Sequence, residues 1–352
     1  MESAALDFLK RLLETPSPSG YEQPIQKVVR EYAGSFADEM TTDVHGNVII
    51  TRNPGAPLRV MFAGHCDQIG FCVQYVDAEG FLYVQSIGGW DPQVLIGQKL
   101  TVWTASGPLF GVIARKPIHL LTDEERKQVV KMKDLWLDIG CKDKEEALEL
   151  VRIGDPVTLE LGVTMLHNNF ACSPAMDDKV GCWVAIEAVR RAIATPLHCS
   201  LVAVSTVQEE IGLRGAMTAS YTVNPHVGIA IDVTHATDCP TIDKKQEGDV
   251  ALGKGPVVYR GPNMNPMVVE RLFEAGRFAE IPIQAAASGR ATGTDANTIQ
   301  ISRGGVAAGL VSIPNRYMHS PVEMVSLEDL DRAADLLTAF ATQLQGDESF
   351  IP

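Results

Sequence analysis

Several things are scarce in this chain, and each scarcity excludes a class of protein. No window of the 352 residues approaches eighteen uninterrupted apolar positions, and the longest runs, such as Leu201–Val207, are strand-sized and contain Ser or Thr. A membrane helix is not expected. Positive charge is in deficit: 30 Lys and Arg against 44 Asp and Glu leave a formal net charge of −14, which disfavours nucleic acid and anionic membranes as partners. Aromatic residues amount to 6%, with only four Trp, which leaves little surface for stacking on sugars. There is no Cys-x-x-Cys pair, and the seven cysteines (Cys66, Cys72, Cys141, Cys172, Cys182, Cys199 and Cys239) are odd in number, so a complete disulfide framework is not expected. Most of them lie in apolar segments and read as small buried hydrophobes. The start, Met1-Glu2-Ser3 with Asp7 close behind, has neither the basic opening nor the apolar stretch of a signal peptide, and a cytoplasmic location is expected.

What is present is the make-up of a globular protein. Apolar residues at 45% and charged residues at 21% exclude a disordered or fibrous chain, and at roughly 150 residues per domain the length suggests two domains. Ser3 is placed as the N-cap of an opening helix with Leu6, Leu9 and Leu13 on one face, ended by Thr15-Pro-Ser-Pro-Ser-Gly20. A second helix carries Ile25, Val28, Val29 and Tyr32, and β-rich runs follow at Val48–Thr51 and Leu58–Ala63. Between about 71 and 163 the pattern changes to short β-like runs (Phe81–Ile87, Leu100–Thr104, Phe110–Ala114, Val157–Leu161) separated by Gly and Pro, which suggests an inserted β domain. Strand-like and helical runs then alternate. The spacing predicts a helix over Lys179–Ala194, strands at Leu201–Val207 and Val227–Ile231, and a helix near Met267–Ala279. Strands near Ile283 and over Val306–Ile313 precede a last helix capped by Ser326 with Asp329 three residues on. Continuous apolar strands alternating with helices imply an α/β layer fold with a mostly parallel core sheet.

Five segments place His or a carboxylate at the end of a strand or the start of a helix. In Gly64-His65-Cys66-Asp67, alternation along an extended chain puts His65 and Asp67 on one side, so that a carboxylate can orient an imidazole or join it at a metal. A surface hydrogen-bonded pair is the plainer alternative. Asp177-Asp178 precedes an apolar helix, where acids commonly cap free N–H groups, yet the flanking Pro174 and Gly181 make a close backbone setting. Glu209-Glu210 follows the apolar run ending at Val207. Two adjacent acids there repel each other unless a cation or a shared proton stabilises them, and neighbours on a strand face opposite ways, so one could bind a metal while the other handles protons. A solvated turn with one acid paired to Arg214 is the alternative. Asp232 ends Val227–Ile231, and His319 follows the strand over 306–313. Singly each can be structural; together they supply the imidazoles, the acids and the spare base that a two-metal hydrolytic centre needs. Gly248–Lys254 has the outline of a phosphate-binding loop, but Gly255 stands where Ser or Thr is needed and Pro256 blocks a following helix. No Gly-x-Ser-x-Gly elbow is present.

In order along nearly the whole chain, Gly64-His-Cys-Asp-Gln-Ile-Gly70, Met176-Asp-Asp-Lys-Val-Gly181, Thr206-Val-Gln-Glu-Glu-Ile-Gly-Leu-Arg-Gly215, Ala230-Ile-Asp-Val-Thr234 and Arg316-Tyr-Met-His-Ser-Pro321 resemble the glutamyl/leucyl (tetrahedral, dodecameric) metallo-aminopeptidases. The resemblance implies a zinc-exopeptidase-like three-layer α/β/α catalytic domain over 1–70 and 164–352, interrupted over 71–163 by a PDZ-like β-barrel domain used for dimerisation and assembly. It further implies two divalent ions, zinc or cobalt, with His65 and Asp232 on one, Glu210 and His319 on the other, and Asp177 bridging. Glu209 would then be the general base, Asp67 would orient His65, and Asp295 in Gly293-Thr-Asp-Ala296 would lie near the substrate's N-terminus. Peptides would be the substrates, and dimers would assemble into a dodecamer. This chain departs from the family pattern at Gln68, where Glu is usual, and at Cys66 beside His65; neither replaces an implied ligand. The competing readings are a glycoside hydrolase, because paired carboxylates also cleave sugars, and a non-catalytic assembly or binding protein of the same fold.

Overall fold

The computed structural model describes all 352 residues. The apolar alternations near the N-terminus form the edge and centre of one sheet, with strands β1 (Glu39–Thr42), β2 (Val48–Arg52) and β3 (Arg59–His65). The chain then leaves that sheet and builds β4 (Gly70–Val76), β5 (Leu82–Ile87), β6 (Lys99–Thr104), β7 (Gly107–Ala114), β8 (Trp136–Asp138) and β9 (Pro156–Leu159). These close into a six-stranded barrel in the order β4-β5-β8-β7-β6-β9. Closure removes the free edges that an isolated small sheet would expose.

After β10 (Thr164–Met165) and β11 (Phe170–Cys172) the chain returns to the large sheet with β12 (Ser200–Thr206), β13 (Val227–His235), β14 (Val257–Arg260), β15 (Gln284–Ala287) and β16 (Ala307–Asn315). A last strand, β17 (Met324–Ser326), pairs with β11. The eight-stranded order is β1-β2-β12-β3-β13-β16-β14-β15. Its centre, β12-β3-β13-β16, is parallel, as the continuous apolar runs imply, whereas β2 and β14 join it antiparallel. The Met176–Arg191 helix crosses one face so closely that a Cβ on Gly64 of β3 would lie 2.4 Å from the Gly181 carbonyl carbon. Gly228 of β13 faces the other way and meets Ile299 of the short Ala296–Gln300 helix, which completes the third layer.

Two apolar cores result. A cluster of 65 buried residues runs from Ala5 to Cys66 and from Ala171 to Phe350, and a second cluster of 16 lies between Phe71 and Leu159.

The expected α/β architecture and the inserted barrel are present, and the differences are local. Ser3 is the first residue of its helix rather than the cap; Glu2 occupies the cap position and makes no side-chain cap bond. Ser326 does stand at the cap of the last helix, Leu327–Gln343, but its side chain makes no cap bond either. Asp329 instead uses both carboxylate oxygens to accept the Gly253 and Gly255 N–H groups, each at 2.7 Å. Strands β1, β8 and β14 and the Arg214–Val223 helix were not expected. The strands have three or four residues, too few for a period, and the helix carries Thr and Ser at several positions.

Candidate active site

The parallel centre of the sheet ends on one side in β3, β12, β13 and β16, and the polar residues gather at those carboxyl ends, where an open α/β sheet forms its crevice. His65 closes β3, Asp232 lies within β13, Glu209 and Glu210 follow β12, and His319 follows β16. Asp177 comes from the start of the Met176–Arg191 helix, where the turn is non-helical at Asp177 and Asp178.

These six residues meet. Asp177 sends one carboxylate oxygen to each imidazole: Oδ1 is 3.2 Å from His65 Nε2 and Oδ2 is 3.3 Å from His319 Nε2. Glu209 Oε2 and Asp232 Oδ1 lie 3.8 and 4.0 Å from His65 Nε2, and Glu210 Oε2 lies 3.6 Å from His319 Nε2. The two adjacent glutamates therefore divide between the imidazoles, although not because a strand alternates: β12 stops at Thr206, and Gln208 has φ +54° in a turn. Arg214 makes no ion pair with either acid, so the solvated-turn alternative is not what the chain adopts. All six line one cavity of about 670 Å³, together with Thr234, Tyr259, Thr292, Thr294, Ser312 and Met318 among others.

Asp67 serves the neighbouring backbone as much as His65. Its main-chain carbonyl takes His65 Nδ1 at 3.1 Å, while the carboxylate Oδ1 stands 3.5 Å from that nitrogen. The carboxylate accepts the Glu209 N–H at 3.0 Å, the Glu210 N–H at 3.2 Å and the Ser19 hydroxyl at 2.7 Å. Asp295 is buried and accepts the Thr206 hydroxyl at 2.7 Å, its other oxygen has no partner, and it is not among the residues lining the cavity.

Burial sets the electrostatics. It pushes Glu209 up to about 10 and Asp295 up to about 6, and it holds Glu210, Asp232 and Asp178 well above the usual carboxylate range. Asp177 goes the other way, because hydrogen bonds from His319 and His65 outweigh its burial and keep it ionised. Burial opposes charge on His65 too, yet the surrounding acids, Glu209 foremost, raise it. So many carboxylates share the crevice that they resist common ionisation, and a bound cation reverses that. The donors fit one. Ligand atoms of His65, Asp177 and Glu210 lie within 4.8 Å of one another, as do those of His65, Asp178 and Asp232, and Glu210 keeps a buried oxygen, Oε1, with no partner. Imidazole nitrogen with carboxylate oxygen suits a borderline divalent metal.

Several supports have roles that the sequence did not indicate, Asp178 among them, since it stood there only as one of an acidic pair. Asp178 is fully buried and accepts the His65 N–H at 3.2 Å. Glu22, Asn47 and Glu323 hold backbone N–H groups of the same loops. Glu323 lies two residues beyond the recognised Arg316–Pro321 segment, and a wider window would have caught it.

A family model described as M42 glutamyl aminopeptidase matches residues 46–336. The lysyl aminopeptidase of Pyrococcus furiosus is 38% identical over 344 residues, covering 96% of this chain and 97% of that protein. The TET aminopeptidase from a marine-sediment Thaumarchaeota archaeon superposes with a TM-score of 0.92 at 35% identity, covering 97% and 96% of the two chains. The TET1 peptidase of Pyrococcus horikoshii, which can assemble into a tetrahedron or a large octahedral shell, gives a TM-score of 0.85 at 32% identity over 97% of this chain and all of that one. The chain belongs to the M42 glutamyl aminopeptidase family and is a peptide hydrolase.

Proposed function

We propose that this peptidase removes the N-terminal residue of peptides at a centre of two divalent ions, zinc or cobalt. His65 and Asp232 would hold one ion, Glu210 and His319 the other, and Asp177 both. The observation that carries this reading is the Asp177 carboxylate, which turns one oxygen towards each of two imidazole nitrogens, the placement a carboxylate shared by two ions needs if each imidazole holds one of them. When bound, the ions would polarise the scissile carbonyl, lower the pKa of a coordinated water and keep the surrounding acids ionised. Glu209 takes the proton of the attacking water and passes it to the amine that leaves as the C–N bond breaks. Burial raises its affinity for a proton, and the bound ions would offset that enough to leave it ionised and ready to accept one. Asp67 fixes Glu209 and Glu210 through their N–H groups. A free amino group of the substrate held beside an ion or an acid of the cavity would restrict cleavage to the first residue; Asp295, expected near that group, is buried outside the cavity lining against the Thr206 hydroxyl and is given no direct contact with it.

A glycoside hydrolase needs two carboxylates and leaves His65 and His319 without a task, and a protein that had lost catalysis would not keep all six residues converged. The test is to assay amino-acid p-nitroanilides and a soluble glucan before and after chelation, then with cobalt or zinc restored. Release from the anilides alone, lost on chelation and recovered with metal, is expected; metal-independent glucan cleavage would overturn the reading.

The barrel region, with boundaries placed at 71 and 163, is assigned to assembly into dimers and a dodecamer. It carries the exposed apolar residues Phe110, Val112, Ile118, Leu120 and Val129. A monomer mass by light scattering would contradict that assignment.

A further inference from the structure

Of the converging side chains, Asp177, Glu209, Glu210 and His319 sit on turns outside regular strand or helix geometry, and two buried carboxylates outside the cavity hold those turns by their backbones. Glu323 is 1% exposed and makes no ion pair, the buried Lys179 acting on it only through space. Its Oε2 accepts the Asp177 N–H at 2.9 Å and its Oε1 accepts the His319 N–H at 2.7 Å, so one side chain ties together two segments 142 positions apart (319 minus 177). The His319 segment needs such a hold, since Tyr317 and His319 both have left-handed backbones, at φ +63° and +59°. On the opposite side four successive N–H groups are taken by side chains. Val207 donates to Asn47 Oδ1 at 3.1 Å, Gln208 to Glu22 Oε1 at 3.2 Å, and Glu209 and Glu210 to Asp67. Glu22 is 4% exposed, and the same Oε1 also accepts the Gly20 N–H at 2.8 Å. A buried carboxylate without a cation is costly unless N–H groups compensate it, and here the groups that do so belong to the loops carrying the active-site side chains.

We propose that Glu323 and Glu22 are positioning residues of the hydrolytic centre: Glu323 sets Asp177 against His319 with both of its oxygens, and Glu22 sets the turn before Glu209 and Glu210 with one. This rests on the metallo-aminopeptidase reading of the site. The different use of oxygens gives the test. Gln keeps one acceptor oxygen, so Glu22→Gln recovers most of what Glu22→Ala loses; in Glu323→Gln the new NH2 faces an N–H group, and recovery fails.

The experiment measures kcat and KM on the p-nitroanilide that the wild type turns over best. In parallel, cobalt is titrated into the chelator-stripped full-length chain and followed by visible absorption. Glu323→Ala and Glu323→Gln are expected to lower kcat and weaken cobalt binding on the order of 10- to 100-fold with KM nearly unchanged. Glu22→Ala is expected to lower kcat about tenfold, with Glu22→Gln close to the wild type. Glu323→Gln recovering as fully as Glu22→Gln, or Glu323→Ala keeping the wild-type isotherm and kcat, overturns the proposal. If Glu323→Ala fails to fold, the nearly isosteric Gln variant decides through its cobalt isotherm, and a wild-type curve there overturns it equally. A wild type without metal-stimulated turnover defeats the aminopeptidase reading instead, and the isotherms still decide the positioning role.

Discussion

The barrel and the sheet solve burial differently. Sixteen apolar residues fill the barrel, and the polar residues buried there are Thr101 and Thr158, the latter accepting the Trp103 indole N–H at 3.0 Å. The sheet region buries Glu22, His65, Asp67, Asp177, Asp178, Lys179, Glu187, Glu209, Asp232, Asp295, Glu323 and Asp329. Most of these surround the carboxyl ends of its parallel strands. Charge is thus removed from water around the crevice at the strand ends, and the insert keeps an interior that only has to pack. The barrel still touches the centre: Gly88, at φ +73°, passes so near Glu210 that a Cβ there would stand 3.2 Å from Oε2 and 2.4 Å from Ile69 Cγ2. Only glycine suits that approach.

Four substitutions would break or sharpen this contrast. The largest effect is expected from Asp177→Ala, which removes the carboxylate shared by both imidazoles; turnover should fall below about one per cent of wild type, as read by steady-state anilide kinetics. Its barrel counterpart is Leu137→Ala. The cavity left in that small core should cost about 2–5 kcal/mol in chemical denaturation while kcat per folded chain stays the same, and a large loss of kcat would show that the two regions are not separable.

A smaller effect tests the buried cation. Lys179 donates to the Thr15 carbonyl and to Gln68 Oε1, both at 2.7 Å and both neutral, and burial pushes it down from its ordinary 10.5 to about 7. Between those values the unfolded chain takes up a proton that the folded chain refuses, so its contribution to stability falls as pH drops from 10.5 to 7 and is constant below. Gln68→Glu supplies an anion, raises the Lys179 pKa and should flatten that dependence in thermal melts from pH 10 to 7. A slope equal to wild type would refute it. Least of all is expected at the barrel surface, where Lys99 and Glu160 pair at 3.7 Å in solvent; Lys99→Ala should change stability by no more than about 0.5 kcal/mol.

The same contrast explains what could be read from the sequence. His65, Asp177, Glu209, Glu210, Asp232 and His319 were legible because each stands beside an apolar strand or at a helix start, where local pattern marks a boundary. Glu22, Asn47 and Glu323 were not. Their partners are N–H groups as far away as 186 positions, and a backbone donor has no residue type by which a sequence could announce it. The barrel was visible as a change of period, although the three residues of β8 and the run of β4 carried too little pattern to be separated. That Glu209 and Glu210 face different ways was anticipated, but the turn that separates them, with Gln208 left-handed, was not.

The most direct test of the account is Glu209→Gln, with metal content and turnover measured on the same sample. Glu209 is assigned to the proton and not to an ion, so the variant should retain about two metals per chain by elemental analysis, keep its fold, and lose turnover by on the order of 10²- to 10⁴-fold. Turnover near the wild-type rate, or loss of metal together with activity, would contradict that assignment.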